Sequence, residues 1–281
     1  MQFVRYTTGE TPAWGVLDDN RIHALDARPN GAPLLAEIGD EAVRSAIQRD
    51  VENGVLPTND RSSVSLLAPV PSPGKIICAG LNYHDHAEEQ NEEPPEKPML
   101  FTKSPSAVAN PGDAVIHPED ISQVDYEVEL AAVVGRTGSN ISKENAEDYV
   151  AGYTVLNDVS ARDAQFDDGQ FFRGKSYDTF APMGPTLVAG DGFNANSVNV
   201  ELRVNGKVKQ ASNTDEFIFD IGDLISYISG FTTLCPGDVI STGTPGGVGI
   251  FRDPPELLEP GDNVEAEIEG IGVLKNNVVA E

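Results

Sequence analysis

The sequence contains little cysteine. Its 281 residues include two, Cys78 in "KIICAG" and Cys235 in "TLCPGD". Two cysteines are too few for the disulfide framework that holds small secreted domains together. We therefore expect reduced thiols in a cytoplasmic protein, with Cys78 in its core.

Positive charge is also scarce. The chain has 19 Lys and Arg residues against 45 Asp and Glu residues, which gives a formal net charge of -26 at pH 7. Nucleic acid and anionic membranes would be repelled by this charge, so neither is an expected partner. Only 8 of the basic residues are Lys, and the acids are spread along the whole chain. This pattern favours a surface adapted to concentrated salt in a halophilic source; an ordinary acidic cytosolic protein is the alternative.

Long apolar runs are missing too. No stretch approaches the roughly 20 apolar residues that a transmembrane helix needs. The N-terminal "MQFVRYTTGE" has neither the regions of a signal peptide nor the arginine-rich character of a transit peptide. We therefore expect no membrane insertion and no export, and the 39% hydrophobic content is sufficient for a substantial core.

Short β-type segments are abundant. Residues 1–68 combine strand-like pieces such as "AWGVLD" with one helical candidate, "EAVRSAIQR", and the Pro-rich "LAPVPSPGK" follows as a boundary. Residues 69–281 contain many short β-type runs between Gly, Pro and Asn turns, a hairpin signal at "VNGKV", and two short helical candidates, "SKENAEDYVAGY" and "FDIGDLISYISG". The pattern predicts a β-rich α+β protein with a small N-terminal domain.

Two carboxylates interrupt one apolar run, "VDYEVELAAVVG" at residues 124–135. In a continuous strand, Glu127 and Glu129 would point to the same face, about 7 Å apart. Both faces become apolar beyond them, which is typical of a strand covered on both sides. Like charges at that distance raise each other's pKa unless a positive charge lies between them. A hard cation that prefers oxygen ligands, such as Mg²⁺, Mn²⁺ or Ca²⁺, would meet this need; an exposed strand end with solvated acids is the alternative.

A third carboxylate ends another apolar strand. "YTVLNDVSARD" places Asp158 directly after an apolar run and before an apparent turn into a short helix. Strand ends are common positions for functional residues, although Asp158 could equally be the N-cap of that helix.

Six segments together resemble the fumarylacetoacetate hydrolase family: "GLNYHDHAEE", "DYEVELAAVVG", "NDVSARDAQ", "GKSYDTFAPMGP", "STGTPGGVG" and "LEPGDNVEAEIEGIGVLKN". They follow one another in order from about residue 71 to the end of the chain. The resemblance implies a mixed β-sheet roll or sandwich with short helices, usually a homodimer. It also implies Mg²⁺ or Mn²⁺ bound through an E-x-E pair and a following Asp, here Glu127, Glu129 and Asp158.

The activity implied by the resemblance is chemistry on 2-oxo acids, 1,3-dicarbonyl compounds and their enols. Members cleave a carbon–carbon bond, decarboxylate, isomerise an enol or dehydrate a deoxy sugar acid, and these reactions share an enolate whose charge a Lewis acid can stabilise. The short N-terminal part resembles the accessory segment of the family's isomerase, decarboxylase and acylpyruvase-like members. Leu81 occupies a position where many members have Arg, so a contact to a distal substrate carboxylate is expected to be missing.

Proton transfer requires a base, and the candidates are His86 and Glu89. Their i, i+3 spacing places both on one face of a helix, where the carboxylate can orient the imidazole. In the family, the matching His and Glu form a dyad that activates water. The same segment, "HDHAEEQNEE", is also typical of a solvated acidic loop, and it could form a lid that orders on substrate binding. His84 is expected at the surface.

Candidate substrate contacts follow from the remaining motifs. Lys175, next to Gly174, matches a substrate-contacting Lys of the family and is a candidate catalytic cation placed against the substrate carboxylate or the enolate, with a surface charge as the alternative. Gln165 resembles a family substrate contact, and Arg162 is expected to hold the local turn through a carboxylate. "TGTPGGVG" lacks the Lys and the helix of a P-loop, so Gly243 and Thr244 are expected to line the pocket through a backbone amide and a hydroxyl; a tight turn is the alternative.

The sequence therefore predicts a Mg²⁺-dependent enzyme acting on a small 2-oxo or 1,3-dicarbonyl acid. Hydrolysis of a carbon–carbon bond is the first expectation, and an enol–keto isomerase, a decarboxylase and a sugar-acid dehydratase are alternatives. The rival of another class is a protein whose cation is purely structural. An open metal facing a cleft indicates catalysis, whereas a closed oxygen shell indicates a structural role.

The net charge of -26 generates a first prediction about stability. Because salt screens repulsion among like charges, we expect the melting temperature to rise between low and molar potassium chloride. Thermal unfolding followed by circular dichroism measures this. A melting temperature that stays flat or falls with salt would contradict adaptation to a saline cytoplasm.

Overall fold

The N-terminal part of the chain forms strands around one long helix. The computed structural model describes residues 1–9, 11–28, 34–189 and 192–281. The elements of this part are β1 (Gln2–Thr7), β2 (Pro12–Asp18), β3 (Arg21–Ala24), α1 (Leu35–Ile38), α2 (Glu41–Glu52), β4 (Thr58–Asp60) and β5 (Ser65–Leu67).

The rest of the chain is also dominated by strands. The strands are β6 (Ile76–Gly80), β7 (Met99–Lys103), β8 (Val108–Ala109), β9 (Ala114–His117), β10 (Val124–Asp125), β11 (Val128–Val134), β12 (Val150–Asn157), β13 (Ser160–Ala161), β14 (Ala181–Val188), β15 (Asn199–Val204), β16 (Lys207–Asn213), β17 (Val239–Ser241), β18 (Asn263–Ile268) and β19 (Gly272–Ala280). The helices are α3 (His84–Gln90), α4 (Arg162–Asp168), α5 (Phe172–Lys175) and α6 (Ile221–Ser229).

Most of the described strands join one large mixed sheet. Its order is β4-β3-β2-β1-β14-β12-β11-β17-β6-β7, with β5 beside β1 and β8 beside β14. A second sheet has the order β16-β15-β18-β19-β9, and β10 pairs with β13 alone. Strands β17 and β6 run parallel, whereas β11 is antiparallel to both of its neighbours. The predicted β-rich fold of mixed sheets with few helices is confirmed.

The N-terminal strands continue the large sheet. Strand β1 pairs with β14 through Gln2 opposite Val188 and Phe3 opposite Leu187. The predicted domain boundary at residues 68/69 thus lies within a chain whose two parts share a sheet, and it stays a prediction.

The elements predicted from short sequence patterns are mostly present in the structure. The helix predicted at "EAVRSAIQR" is α2, with Asp40 as its N-cap, and α6 starts in a capping box between Asp220 and Asp223. The predicted hairpin joins β15 to β16. The capped helix predicted at "SKENAEDYVAGY", residues 142–153, is wrong: Lys143–Tyr149 form a 3-10 helix, and the residues from Val150 onward belong to strand β12. In the described chain, no helix combines the length and apolarity needed to cross a membrane.

The run at residues 124–135 differs from the predicted continuous strand. Strand β11 is buried at every position, as expected of a strand covered on both faces, but the pairing is broken before it. The N–H groups of Tyr126, Glu127 and Val128 donate to side-chain oxygens, namely Asp125 Oδ1, Asn157 Oδ1 and Gln210 Oε1. Side-chain oxygens replace strand partners there. Glu127 therefore precedes strand β11, whereas Glu129 lies within it.

Candidate active site

Three carboxylates meet beside the central strands of the large sheet. Glu127 immediately precedes β11, Glu129 is its second residue, and Asp158 directly follows β12, which is antiparallel to β11. The Asp158 N–H donates to the Glu127 carbonyl at 2.8 Å, which fixes the two chain segments side by side. All three residues are buried, and one carboxylate oxygen from each lies within 4.8 Å of the others. This cluster can therefore offer three hard oxygen ligands to one cation.

Two buried lysines neutralise part of the cluster. Lys175 Nζ donates to Glu127 Oε2 at 2.8 Å and to Asp158 Oδ2 at 3.0 Å. Lys103 Nζ donates to Asp158 Oδ1 and to the Val159 carbonyl. Burial lowers the pKa of Lys103, while the carboxylate of Asp158 opposes that effect. Both Asp158 oxygens are therefore held by ammonium groups.

Arg162 joins the cluster from α4. Its Nη2 lies 2.5 Å from Glu127 Oε1, its Nε lies 2.9 Å from Asp125 Oδ2, and its Nη1 donates to Gln165 Oε1 at 3.0 Å. The predicted carboxylate partner exists, but its role reaches beyond the local turn, since Arg162 orients Glu127. Asp125 also accepts the N–H groups of Gly249 and Ile250. This aspartate therefore ties a distant loop to the site.

The carboxylates of the cluster differ in their electrostatic surroundings. Burial raises the pKa of Glu129 well above its usual value, and the neighbouring Asp158 and Glu127 raise it further. Burial acts in the same direction on Glu127, but Lys175 and Arg162 outweigh it and hold the pKa of Glu127 at about 2. Glu129 accepts from the Ser241 hydroxyl and the Gly243 N–H, both neutral donors. A divalent cation would stabilise the ionised form of Glu129, so the donor set fits such an ion.

His86 and Glu89 form the predicted pair on α3. His86 Nδ1 lies 3.0 Å from Glu89 Oε2, and Glu89 Oε1 accepts the Gly247 N–H at 2.8 Å. Because a carboxylate only accepts hydrogen bonds, this contact places the imidazole proton on Nδ1 and leaves a lone pair on Nε2. The amide Nε2 of Gln90 lies 2.8 Å from that imidazole Nε2. His84, as expected, is exposed.

One cavity of about 170 Å³ connects this pair to the carboxylate cluster. Its polar lining consists of His86, Gln90, Glu127, Glu129, Arg162, Gln165, Lys175 and Thr244. Its apolar lining consists of Ala79, Gly80, Leu81, Met99, Phe101, Phe166, Phe171 and Phe251. A small molecule in this cavity would contact the candidate base and the candidate cation site together.

Gly243 and Thr244 reach the site in different ways. Gly243 lies outside the cavity lining and donates its N–H to Glu129 at 3.1 Å. Its φ is +93°, and a Cβ there would lie 2.9 Å from the Ala79 carbonyl oxygen, so the close approach requires glycine. Thr244 lines the cavity, while its hydroxyl donates to the Val128 carbonyl and accepts from Gln210.

Sequence reasoning missed four residues that shape the site: Lys103, Asp125, Gln90 and Ser241. A usable signal existed for Lys103 and Ser241, since each ends a short apolar strand, as Asp158 nearly does. Asp125 lies within the run at residues 124–135, where Glu127 and Glu129 gave the clearer signal of a site. A local signal also existed for Gln90, since it follows His86 at i+4 on the same helix and so shares a face with it.

The fold and the site define a class of β-rich proteins with a buried acidic cluster at the floor of a small cavity. Comparison with known families agrees. The profile described as "Fumarylacetoacetate (FAA) hydrolase C-terminal" matches residues 75–279, and the profile described as "Rv2993c-like, N-terminal" matches residues 1–69. The chain belongs to the fumarylacetoacetate hydrolase family, which confirms the resemblance seen in its motifs.

Similar proteins include several named enzymes. The mitochondrial oxaloacetate tautomerase Fahd2a of Rattus norvegicus is 45% identical over 267 residues, covering 94% of this chain and 84% of that protein. The fumarylacetoacetate hydrolase of Exiguobacterium antarcticum is 40% identical with a TM-score of 0.89 over 100% of both chains. The 2-hydroxyhepta-2,4-diene-1,7-dioate isomerase of Mycobacterium marinum is 33% identical with a TM-score of 0.81, over 100% of this chain and 99% of that one.

The cluster generates a prediction about metal binding. Asp158→Asn removes one negative charge from the three-carboxylate set, so we expect Mg²⁺ and Mn²⁺ to bind at least about 10-fold more weakly. A loss of affinity of this size is usual even when only a residue that orients a metal ligand is changed. Isothermal titration calorimetry measures the affinity. Asp168→Asn, which alters an exposed carboxylate paired with Arg173, is the matched control and should bind like the wild type. Unchanged affinity in Asp158→Asn would refute the ligand assignment.

Proposed function

We propose that the protein is a divalent-cation-dependent enzyme that interconverts the keto and enol forms of a small 2-oxo acid, with oxaloacetate as the leading candidate. The observation that carries the proposal is the shared cavity, which His86 lines together with Glu127 and Glu129. The identity to a named oxaloacetate tautomerase supports the choice of substrate. The sequence placed carbon–carbon bond hydrolysis first and enol–keto isomerisation second, and this likeness favours the second.

The charge of the buried cluster supports an anionic substrate. Three of the buried carboxylates, those of Asp125, Glu127 and Asp158, form ion pairs with Lys103, Lys175 and Arg162. The fourth, Glu129, accepts hydrogen bonds from neutral donors. Four negative and three positive charges leave one negative charge, and a divalent cation would change it to one positive charge. The carboxylate at the 2-oxo end of the substrate would then balance the charge of the cluster, which favours its binding in a low-dielectric cavity.

The three proposed ligands, Glu127, Glu129 and Asp158, would hold the Mg²⁺ or Mn²⁺ ion. When bound, this ion supplies Lewis-acid stabilisation of negative charge on the substrate's oxo oxygen. Lys175 lies beside the same carboxylates, with its Nζ 5.1 Å from the centre of the Phe101 ring, and contributes positive charge at the same end of the cavity. Gln165, held by Arg162, presents its amide there. These residues would bind the 2-oxo acid end of the substrate.

His86 is the proposed base. Its Nε2 takes the proton from C3 of the substrate, the electron pair of that C–H bond becomes the C2–C3 double bond, and the oxo oxygen receives the carbonyl π electrons. Glu89 stabilises the resulting imidazolium through Nδ1, and the Gly247 N–H keeps Glu89 in place. The imidazolium then returns the proton to the oxygen, which yields the enol and regenerates neutral His86.

Hydrolysis of a carbon–carbon bond is the second candidate. The same His86–Glu89 pair could take a proton from water, and the similarity to a named fumarylacetoacetate hydrolase favours it. The rival role, a purely structural cation, is disfavoured because Glu127 and Glu129 line an open cavity.

Turnover assays separate these functions. We expect the protein to accelerate the loss of the enol absorbance of oxaloacetate, to lose this activity after EDTA treatment and to regain it with Mg²⁺ or Mn²⁺. Acylpyruvates, 2-hydroxy-dienoic diacids and 2-oxo-3-deoxy acids are tested alongside, with pyruvate release as the readout for cleavage or decarboxylation. Cleavage of an acylpyruvate without any effect on oxaloacetate would overturn the tautomerase proposal in favour of the hydrolase.

The pairing of His86 with Glu89 generates a prediction about the proton transfer. In Glu89→Gln, an amide N–H would face Nδ1 and move the imidazole proton to Nε2, so the base would lose its free lone pair. We expect kcat to fall by roughly 10²- to 10⁴-fold, the usual range for losing a general base, while oxalate still binds through the cation and Lys175. Steady-state kinetics and calorimetry measure the two effects.

The controls for this variant are a neighbour and a double mutant. Glu88→Gln changes the exposed glutamate one residue earlier and should keep the wild-type kcat. His86→Ala should resemble Glu89→Gln, and the double variant should be little worse than either, because the two residues act as a unit. Near-normal kcat in Glu89→Gln would move the proton chemistry away from this pair.

A further inference from the structure

Gln90 contacts the candidate base and lines the cavity that the substrate would enter. It is the last residue of α3, and it is partly buried. Its Nε2 lies 2.8 Å from His86 Nε2, the nitrogen whose lone pair is free. Since that lone pair is an acceptor, the amide N–H must be the group that faces it.

We infer that Gln90 is the residue that selects a substrate with a carboxylate on C3. Its amide covers the base in the substrate-free protein and turns to that carboxylate when the substrate enters. This inference rests on the proposed function. It concerns a residue outside the metal cluster and outside the His86–Glu89 pair.

The Gln90 amide lies where the substrate must approach the base. For His86 Nε2 to take a proton from C3, the C3–H bond must occupy the place where the Gln90 amide lies in the free protein. The amide therefore has to leave, but its own backbone at the end of α3 keeps it within a few ångströms of its first position. In oxaloacetate, C3 is bonded to the oxo carbon C2 on one side and to the carbon of the second carboxylate on the other. The displaced amide consequently meets that carboxylate.

The two cations and the other glutamine of the cavity lining are held at the end that carries the carboxylate cluster. The fixed cations in the described lining, Arg162 and Lys175, are both engaged by buried carboxylates at the cluster end. Leu81, at the apolar part of the lining, offers no charge. Gln165 is held beside Glu127 by Arg162, which assigns its amide to the 2-oxo acid end. Gln90 is then the neutral donor beside C3.

The exchange of partners leaves few polar groups unsatisfied. In the free protein, Gln90 satisfies the lone pair of His86, so the buried imidazole has partners on both nitrogens. In the complex, the amide N–H bonds a carboxylate, and a hydrogen bond to a charged group is stronger than one to a neutral group. A substrate that lacks the second carboxylate must displace the amide without replacing its hydrogen bond, which costs binding free energy.

The test compares two ligands in two variants, with Mg²⁺ present and calorimetry as the readout. Oxalate has no group beyond the chelating end, whereas 3,3-difluorooxaloacetate carries the second carboxylate and cannot enolise. In Gln90→Met, which keeps the length and removes the amide, we expect the difluoro diacid to bind about 10- to 100-fold more weakly, the range for a lost hydrogen bond to a charge. Oxalate should bind as it does to the wild type. Gln48→Met, at an exposed glutamine of α2, is the control and should change neither.

A kinetic measurement gives an independent readout. Exchange of the C3 protons in D₂O, followed by proton NMR, compares oxaloacetate with 2-oxobutanoate, which has a methyl group in place of the second carboxylate. Gln90→Met should raise KM for oxaloacetate and leave kcat/KM for 2-oxobutanoate equal to or above the wild-type value. Gln90→Glu, which places a like charge beside the carboxylate, should discriminate against oxaloacetate more strongly than Gln90→Met.

The outcomes distinguish this inference from the proposed function. Equal binding of the difluoro diacid to wild type and Gln90→Met would overturn the role of Gln90, even if the wild type turns over oxaloacetate. Equal weakening of both ligands would also overturn it, since Gln90 would then only shape the cavity. If Gln90→Met binds only the difluoro diacid more weakly, the inference is supported. This holds even if the wild type does not turn over oxaloacetate, because that result would refute only the proposed reaction.

Discussion

The structure depends on the cost of burying acidic groups. Three carboxylates that lie within 4.8 Å of one another cannot all be ionised in an apolar interior unless positive charge compensates them. Lys103, Lys175 and Arg162 supply that charge. Each cation comes from a different element, β7, α5 and α4, so the requirement of charge balance holds these elements around the central strands.

Strand pairing is interrupted beside this charged cluster. The backbone between β10 and β11 gives up its strand partners to side-chain oxygens of Asp125, Asn157 and Gln210. Glu127, which precedes β11, contacts Arg162 and Lys175, while Glu129, within β11, contacts Ser241 and Gly243. The two carboxylates converge on one place, yet their different partners give them opposite pKa shifts.

Family membership and the geometry of the cavity carry different parts of the functional argument. The matched profile and the named relatives establish a family whose named members act as hydrolases, isomerases and tautomerases. The cavity supports the choice we propose within this range, because His86, the proposed base, and the acidic cluster line it together, and such an arrangement suits removal of a proton next to a carbonyl group. Under our inference, Gln90 in the same lining then selects the acid.

The sequence by itself determined the features that depend on neighbouring residues. The i, i+3 spacing of His86 and Glu89 required only a helical turn, and the hairpin at "VNGKV" only a two-residue loop. Only the tertiary structure decided which residues from distant parts of the chain contact the candidate site residues. Lys103 reaches Asp158 across 55 residues of chain, and Gly247 reaches Glu89 across 158. Such contacts are set by the order of strands in the sheet and by charge compensation in the interior, and neither is encoded in the spacing of residues along the chain.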